Sequence, residues 1–256
     1  MDKILASRAS GFVTERAIIF LVPDANIEDP SHPAGKVFKN LLHVVEVRPG
    51  FLGGHWAMRI GSENEVQQLV DWDCMQSYEN VINDNELMEP LMRELLPIMR
   101  ADPPIYHIYY QSGPSLPSTG GGDGKAAAVI ASSFLSKKAP ITELTELYLV
   151  PSISLEEMSK LEVMWHKYAD EIVQKADGCV FVAQGWVLEE LESSKEEVGK
   201  TKVFHIAVGW ESADKQTLLN ESEAEKEFQK KLEKYVVHFE SSSFKWYSNA
   251  ELHNMD

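Results

Sequence analysis

Cysteine is nearly absent from this chain. Cys74 and Cys179 are the whole set in 256 residues. They stand far apart and outside any CxxC, so neither a disulfide scaffold nor a zinc ribbon can be built, and a reducing compartment is expected. Long apolar runs are also missing. The longest early one, Ala17 to Val22, is shorter than a signal-peptide core or a membrane span and follows acidic Glu15, so a cytoplasmic protein with no membrane partner is expected. On that basis the sequon Asn220-Glu221-Ser222 is read as chance. Basic residues are scarce: 24 Lys and Arg face 40 Asp and Glu, a formal net charge of −16. Such a chain repels phosphate backbones unless its cations cluster, and they do not, so nucleic acid is not an expected partner.

Cofactor signatures are missing as well. No HExxH, HxxxH or carboxylate–histidine cluster has metal-ligand spacing, so no metal is expected. The glycines at 120–124 are followed by Lys125, but Thr119 stands where a phosphate loop needs its first glycine and Ala126 where it needs Ser or Thr. No GxGxxG opens a helix after a strand, which removes support for nicotinamide or flavin binding by a Rossmann unit. The expected cofactor is none.

What is present is an ordinary globular composition, 44% hydrophobic and 25% charged, and a length that suits one large core or two of about 110 to 120 residues. The sequence repeats itself. Each half opens with a β-type run ending in Leu-Val-Pro, at 16–23 and 143–151. A helix follows: Ser154 and Glu157 form a capping box ahead of Met158, Leu161, Trp165, Tyr168 and Ile172 at helical spacing, predicting a helix over 154–176. Its counterpart is a looser stripe over 33–47, closed by Pro49-Gly50. Strands carrying Trp56 and Trp186 come next, then strands ending in Trp72 and Trp210, each followed by an acidic residue. Helical stripes follow at Leu87, Leu91, Leu95, Ile98 and at Ala224, Phe228, Leu232, Tyr235, Phe239. Aromatic strands close both halves, at 105–110 and 243–248, with Tyr106 and Phe244 matched at the offset that relates Trp72 to Trp210. Each half thus reads β-α-β-β-α-β, an α+β ferredoxin-like unit with one sheet face under helices. The expected domains are unit 1 over 1–111, a Gly/Ser/Pro-rich linker over 112–140 with a short helix available between Ala126 and Leu135, and unit 2 over 141–256. The open sheet faces are expected to pair within the chain.

The run of Trp, acidic residue and small residue before a helix, seen in Trp210-Glu211-Ser212 and more loosely in Trp72-Asp73-Cys74, resembles the antibiotic biosynthesis monooxygenase family of the dimeric α+β barrels. The resemblance covers nearly the whole chain apart from the linker. It implies an intramolecular dimeric α+β barrel of the tandem type found in fungal relatives, a monomeric pseudo-dimer or a homodimer, and a role in secondary metabolism. The superfamily spans cofactor-free oxygenases, polyketide cyclases, haem proteins and members with no known chemistry, so the resemblance is sharper for fold than for activity.

In the family's quinone-forming oxygenases, a tryptophan at the end of the third strand and a tyrosine six residues on line the cavity. Trp72 and Tyr78 keep that spacing, whereas Gln216 takes the tyrosine's place after Trp210, so unit 1 is the expected catalytic half. His55 and His107 are candidate proton-shuttling bases, because imidazole titrates near neutrality, and Tyr78 is a candidate enolate donor. Strand parity sets His107 and Tyr109 on one face and Tyr106 and Tyr110 on the other. Trp56, Trp72, Tyr109 and Arg93 are candidate substrate contacts, Arg93 together with Arg59 as an anchor for an anionic or phenolic group. The resemblance implies a cofactor-independent monooxygenase or cyclase that works on an aromatic or polyketide-like molecule through a carbanion or enolate. Two other readings stay open: a non-catalytic barrel that binds a hydrophobic ligand, and a haem-binding barrel with His166 as the helical ligand candidate in unit 2. For every one of these residues structural packing is the competing role.

Overall fold

The computed structural model describes residues 11–111 and 128–249. These fall into two compact units, 11–109 with 130–132 and 245–249, and 110–111, 128–129 and 133–244. Unit 1 contains β1 (Val13–Phe20), α1 (Pro33–Glu46), β2 (Phe51–Arg59), β3 (Glu65–Trp72), α2 (Met75–Ile82), α3 (Asn85–Leu95) and most of β4 (Ile105–Gln111). Two short elements follow, β5 (Ala128–Val129) and α4 (Ala131–Leu135). Unit 2 continues with β6 (Ile141–Leu149), α5 (Leu155–Lys175), β7 (Cys179–Val187), the small β8 (Leu191–Glu192) and β9 (Lys200–Thr201), β10 (Val203–Trp210), α6 (Ala213–Asn220), α7 (Glu223–Leu232) and β11 (Val236–Ser248).

Both sheets are antiparallel, ordered β2-β3-β1-β4 in unit 1 and β7-β10-β6-β11 in unit 2. This is the ferredoxin-like order, so the chain is the expected α+β tandem. Local chemistry explains the borders. Ser154 accepts the Glu157 amide while Glu157 reaches back to the Ser154 amide, which fixes the start of α5. Met158, Leu161, Trp165, Tyr168 and Ile172 are all buried, and burying side chains of this size stabilises by about 1.5–3 kcal/mol each. Gly178 and Gly50 take φ of 82° and 86° ahead of β7 and β2, a conformation that strains residues with a Cβ.

Three sequence expectations need correction. The helical stripe carried to Phe239 overruns, because α7 stops at Leu232 and β11 starts at Val236, where Val236-Val237 favours an extended backbone. Each long helical region is two helices, since Asp84 and Ser222 cap new N-termini by accepting the Leu87 and Glu225 amides. Finally, Tyr106 and Phe244 are not equivalent. Val13 pairs with Trp72 and Ile141 with Trp210, which aligns Glu15 with Glu143. On the next strands Glu15 faces His107 and Glu143 faces Ser243, so Phe244 corresponds to Ile108. The connection from α3 to β4 carries a 3-10 turn at Leu96–Ile98 and, after it, Pro103 and Pro104, while α7 runs into β11 within a few residues. The slip is even, so every side chain keeps its face.

The helix expected within Ala126–Leu135 forms as α4, and residues 112–127 of the expected linker lie outside the described residues. Among the described residues no helix is long and apolar enough to cross a membrane.

Candidate active site

The helix-facing side of each sheet follows from alternation. In unit 1 it carries Glu15, Ala17 and Ile19 of β1 and Gln68, Val70 and Trp72 of β3; in unit 2 it carries Glu143, Thr145 and Leu147 of β6 and Ile206, Val208 and Trp210 of β10. Between these strands and their helices lies a cavity in each unit, of ≈ 100 Å³ in unit 1 and ≈ 270 Å³ in unit 2. On the strands the two are lined by equivalent positions. Unit 1 fills its helix side with Met88, Leu91, Met92 and Leu95, where unit 2 has Glu225, Phe228, Gln229 and Leu232.

At the strand end of the unit 1 cavity, the buried Trp72 Nε1 donates to Glu15 Oε2 at 2.9 Å. Burial raises the Glu15 carboxyl above its ordinary value, against the lowering effects of the indole hydrogen bond and of nearby His107. Trp72 meets Tyr78 edge-on with ring centroids 6.4 Å apart, and Tyr78 meets His107 at 4.2 Å. Glu15, Trp72 and Tyr78 line the cavity, and His107 stands directly across the strand pair from Glu15. Chemically, the cluster is a carboxylate with weakened acidity, a phenol, an imidazole and an indole donor at the end of an apolar chamber.

Of the expected site residues, Trp72, Tyr78 and His107 are therefore brought together, and Glu15 joins them. Glu15 was overlooked because the first strand was read as beginning at Arg16. The available signal was a repeat: Glu15 and Glu143 each stand eight residues before the proline of Leu-Val-Pro, on a strand face that goes on with Ala17 and Ile19 in one unit and Thr145 and Leu147 in the other.

The other candidates lie elsewhere. Trp56 is on the helix-facing side but packs edge-on against Phe38 and stacks on Tyr247, outside the cavity wall. Tyr109 shares the His107 face and is half-buried, also outside the wall. Arg93 is 76% exposed and pairs with Glu89 one helical turn away at 3.0 Å; Arg59 pairs with Glu65 at 2.9 Å. His55 pairs with Leu69 across β2 and β3 and so lies on the opposite face. There its Nδ1 is 3.4 Å from Ser132 Oγ, and that hydroxyl donates to Asp71 Oδ2 at 2.6 Å. Asp71 also accepts from Thr14 Oγ1 at 2.6 Å and from the Ala131 and Ser132 amides at 2.8 Å. This saturated carboxylate ties the start of α4 to β3 and β1.

In unit 2 the equivalent cluster has changed. Gln216 replaces Tyr78 and donates to Ser243 Oγ, the residue across from Glu143, at 3.0 Å. Thr145 Oγ1 donates to Ser241 Oγ at 3.1 Å and Ser241 Oγ donates to Glu143 Oε1 at 2.7 Å. The corresponding unit 1 pair is Ala17 and Ile105, which offers no hydroxyl. Trp210 Nε1 is buried and has no hydrogen-bond partner among the described residues. Tyr168 stacks on Phe228 at 4.0 Å and donates to Glu225, and burial followed by that acceptor raises its phenol well above the ordinary value.

The walls of both cavities hold no histidine, and among the described residues no group of three or more His, Cys, Asp or Glu is placed to hold a metal ion. His166 of α5 is outside the unit 2 wall, so it offers no axial ligand to a group seated in that cavity. Cys179, which burial pushes up to about 11, is a poor thiolate nucleophile.

No protein-family model and no curated protein matches the sequence. Solved structures do share the fold over nearly its whole length. An anthrone oxidase-like protein aligns with a TM-score of 0.63 and 10% identity, covering 95% of each chain. A protein from Fusobacterium nucleatum provisionally named a monooxygenase aligns at 0.55 and 9%, covering 93% of each. One provisionally named a chlorite dismutase also aligns at 0.55 and 9%, covering 95% of this chain and 98% of its own. At such identities the likeness is one of fold.

Proposed function

We propose that this protein is an enzyme of the antibiotic biosynthesis monooxygenase type, a tandem member that oxidises or cyclises an aromatic, polyketide-like molecule through a carbanion, with unit 1 as the reactive half. The observation that carries the reading is the Glu15 carboxyl, raised by burial and held by the Trp72 indole at the end of an apolar chamber. A carboxylate with elevated basicity is suited to removing a carbon-bound proton, and a general base contributes roughly 10²–10⁴-fold. Support also comes from the shared fold of proteins named for oxygenase chemistry.

In this scheme Glu15 takes the proton from an activated methylene, and Tyr78 donates a hydrogen bond to the enolate oxygen as charge develops there. Trp72 holds Glu15 in place and His107 sets the field around it. With dioxygen as oxidant, the carbanion carbon bonds to one oxygen atom to give a hydroperoxide. Loss of water then leaves a carbonyl, so that a methylene and O₂ become a ketone and H₂O. If the substrate carries its own carbonyl electrophile, the same enolate closes a ring without oxygen. The chamber of ≈ 100 Å³ is small for a fused-ring molecule. Three of its lining residues are Met88, Met92 and Met99, whose flexible thioether chains re-pack readily, so admission of substrate is assigned to their rotation.

A screen of anthrones and linear polyketide mimics under air and under nitrogen tests this. Turnover that needs air identifies the oxygenase, turnover under nitrogen the cyclase, and Glu15→Gln should reduce either by at least about 100-fold. Turnover unchanged in Glu15→Gln would overturn the assignment of the base, and a folded protein inert to the whole panel would favour the non-catalytic barrel.

A further inference from the structure

Unit 2 holds the larger cavity, and the proposed reaction makes no use of it. Among the described residues the wall of this cavity carries two carboxylates, Glu143 on β6 and Glu225 on α7, and no Lys, Arg or His. Both are half-buried. The pocket of ≈ 320 Å³ that shares Tyr168, Ile172 and Leu219 with the cavity does hold Lys175 and Lys215, but Glu171 and Asp177 stand in the same wall, and Lys215 pairs with Asp177. The first wall is therefore negative and the second balanced. A cleft of low dielectric lined by charge of one sign concentrates ions of the other.

The hydrogen bonds of the wall have the same polarity. On the helix side Tyr168 donates its hydroxyl to Glu225, and Gln229 Nε2 donates to the other oxygen of that carboxylate at 2.9 Å. On the strand side Thr145 donates to Ser241 and Ser241 to Glu143. A hydroxyl has one hydrogen to give, so all three are spent within the wall, and what these groups keep is lone pairs. The donors that reach the two carboxylates are neutral, so neither charge is balanced by a cation of the wall. Aromatic rings adjoin Glu225: Tyr168 stacks on Phe228 with centroids 4.0 Å apart, and Trp165 lies 5.6 Å from Phe228. The face of such a ring attracts a cation. Unit 1 has no match for Glu225 in its wall, where the helix side is Met88, Leu91, Met92 and Leu95.

We infer that the unit 2 cavity is a binding site for an amphipathic cation, a protonated amine on an apolar or aromatic body, whose N–H groups are accepted by Glu143 and Glu225 and whose body packs against Trp165, Tyr168 and Phe228. An amine supplies what this wall has used up, hydrogen-bond donors, and the charge it lacks. The site requires nothing of the unit 1 chemistry.

The probes are tryptamine and hexylamine, each set against its neutral counterpart, tryptophol and hexan-1-ol, and titrated by calorimetry into the full chain. Salt at about 0.15 M screens exposed surface charges beyond roughly 8 Å. One amine should bind per chain, about tenfold or more tighter than its alcohol, because its hydrogen bonds to the carboxylates are charge-assisted. The double variant Glu143→Gln/Glu225→Gln keeps acceptors for Ser241 and Tyr168 but removes both charges. It should lose the preference for amines while binding the alcohols as wild type does, with thermal melting confirming that it folds. If it does not fold, the two single variants take its place, each expected to bind the amines about 3- to 10-fold more weakly. Glu15→Gln should bind the amines as wild type does, so the fate of the proposed reaction leaves this result untouched. Equal affinity for amines and alcohols, no binding of either amine, wild-type amine affinity in the unit 2 variants, or a loss confined to Glu15→Gln would each overturn the inference.

Discussion

Two copies of one architecture have divided their assets. Unit 1 holds the cluster of Glu15, Trp72, Tyr78 and His107 proposed to be reactive, around a cavity of ≈ 100 Å³, and unit 2 holds the roomier cavity of ≈ 270 Å³ with other residues at the cluster's positions. The difference traces to a few side chains at equivalent positions. Ala17 and Ile105 offer Glu15 no hydroxyl; the Trp72 indole donates to it, and burial raises its carboxyl. Thr145 and Ser241 give Glu143 hydroxyl company and leave the Trp210 indole orphaned. One cross-strand pair, apolar or hydroxylic, therefore separates a carboxylate that accepts from an indole from one that accepts from a hydroxyl chain.

The largest stability contrast is expected at Asp71 and its unit 2 counterpart Gly209. Asp71 accepts hydrogen bonds from Thr14, Ala131 and Ser132, and Asp71→Ala should cost about 3 kcal/mol in urea unfolding because it leaves buried donors unpaired. Gly209 has no such duty; an added Cβ there would meet the Phe181 ring at 2.3 Å, so Gly209→Ala destabilises by crowding instead. Next come the tryptophans. Trp72→Phe removes the hydrogen bond that the buried Glu15 accepts and should cost about 1–3 kcal/mol, whereas Trp210→Phe removes a donor that has no partner among the described residues and should stay within about 0.5 kcal/mol of wild type. Equal losses at both sites would break the comparison.

The pH dependence of stability sharpens it further. Folded Glu15 holds its proton more tightly than the unfolded chain does, with a value above 4.5. Its contribution to stability therefore declines as pH rises from about that value through the raised one, and is level beyond. Glu15→Gln should flatten this part of the pH profile, and Ala17→Thr with Ile105→Ser, which imports the unit 2 hydroxyls, should shift it to lower pH. The smallest effect concerns the caps of α2 and α6. Cys74 makes no side-chain cap hydrogen bond, while Ser212 accepts the Lys215 amide. Cys74→Ser should stabilise by at most about 1 kcal/mol, and Ser212→Ala should cost about 1 kcal/mol, both read by thermal melting.

Much of the fold was legible because the repeat is written in residues with strong local meaning: the capping box at Ser154, the glycines after α1 and α5, and tryptophans closing the third strands. The aromatic strand at the end of each unit was misaligned because Tyr106 and Phe244 both look like core residues, and only cross-strand pairing reveals a two-residue slip. Within the candidate site, Trp72 and Tyr78 were candidates from family spacing, and His107 as an imidazole on a half-buried strand; parity grouped it with Tyr109 but left open which face the helices cover. His55 was equally plausible in sequence, but its face depends on the β2–β3 register. Arg93 looked useful as one of few cations, yet its own helix supplies Glu89. Glu15 escaped because a glutamate at a strand's start reads as solvated. Its burial depends on helices that lie far along the chain.

The most direct test of the account is proton abstraction itself, read under nitrogen as hydrogen–deuterium exchange at the methylene carbon of anthrone in D₂O by NMR. The account predicts exchange faster than in buffer for wild type and for Glu143→Gln, and loss of that acceleration in Glu15→Gln. Acceleration that survives Glu15→Gln and vanishes in Glu143→Gln would place the chemistry in the other unit and contradict it.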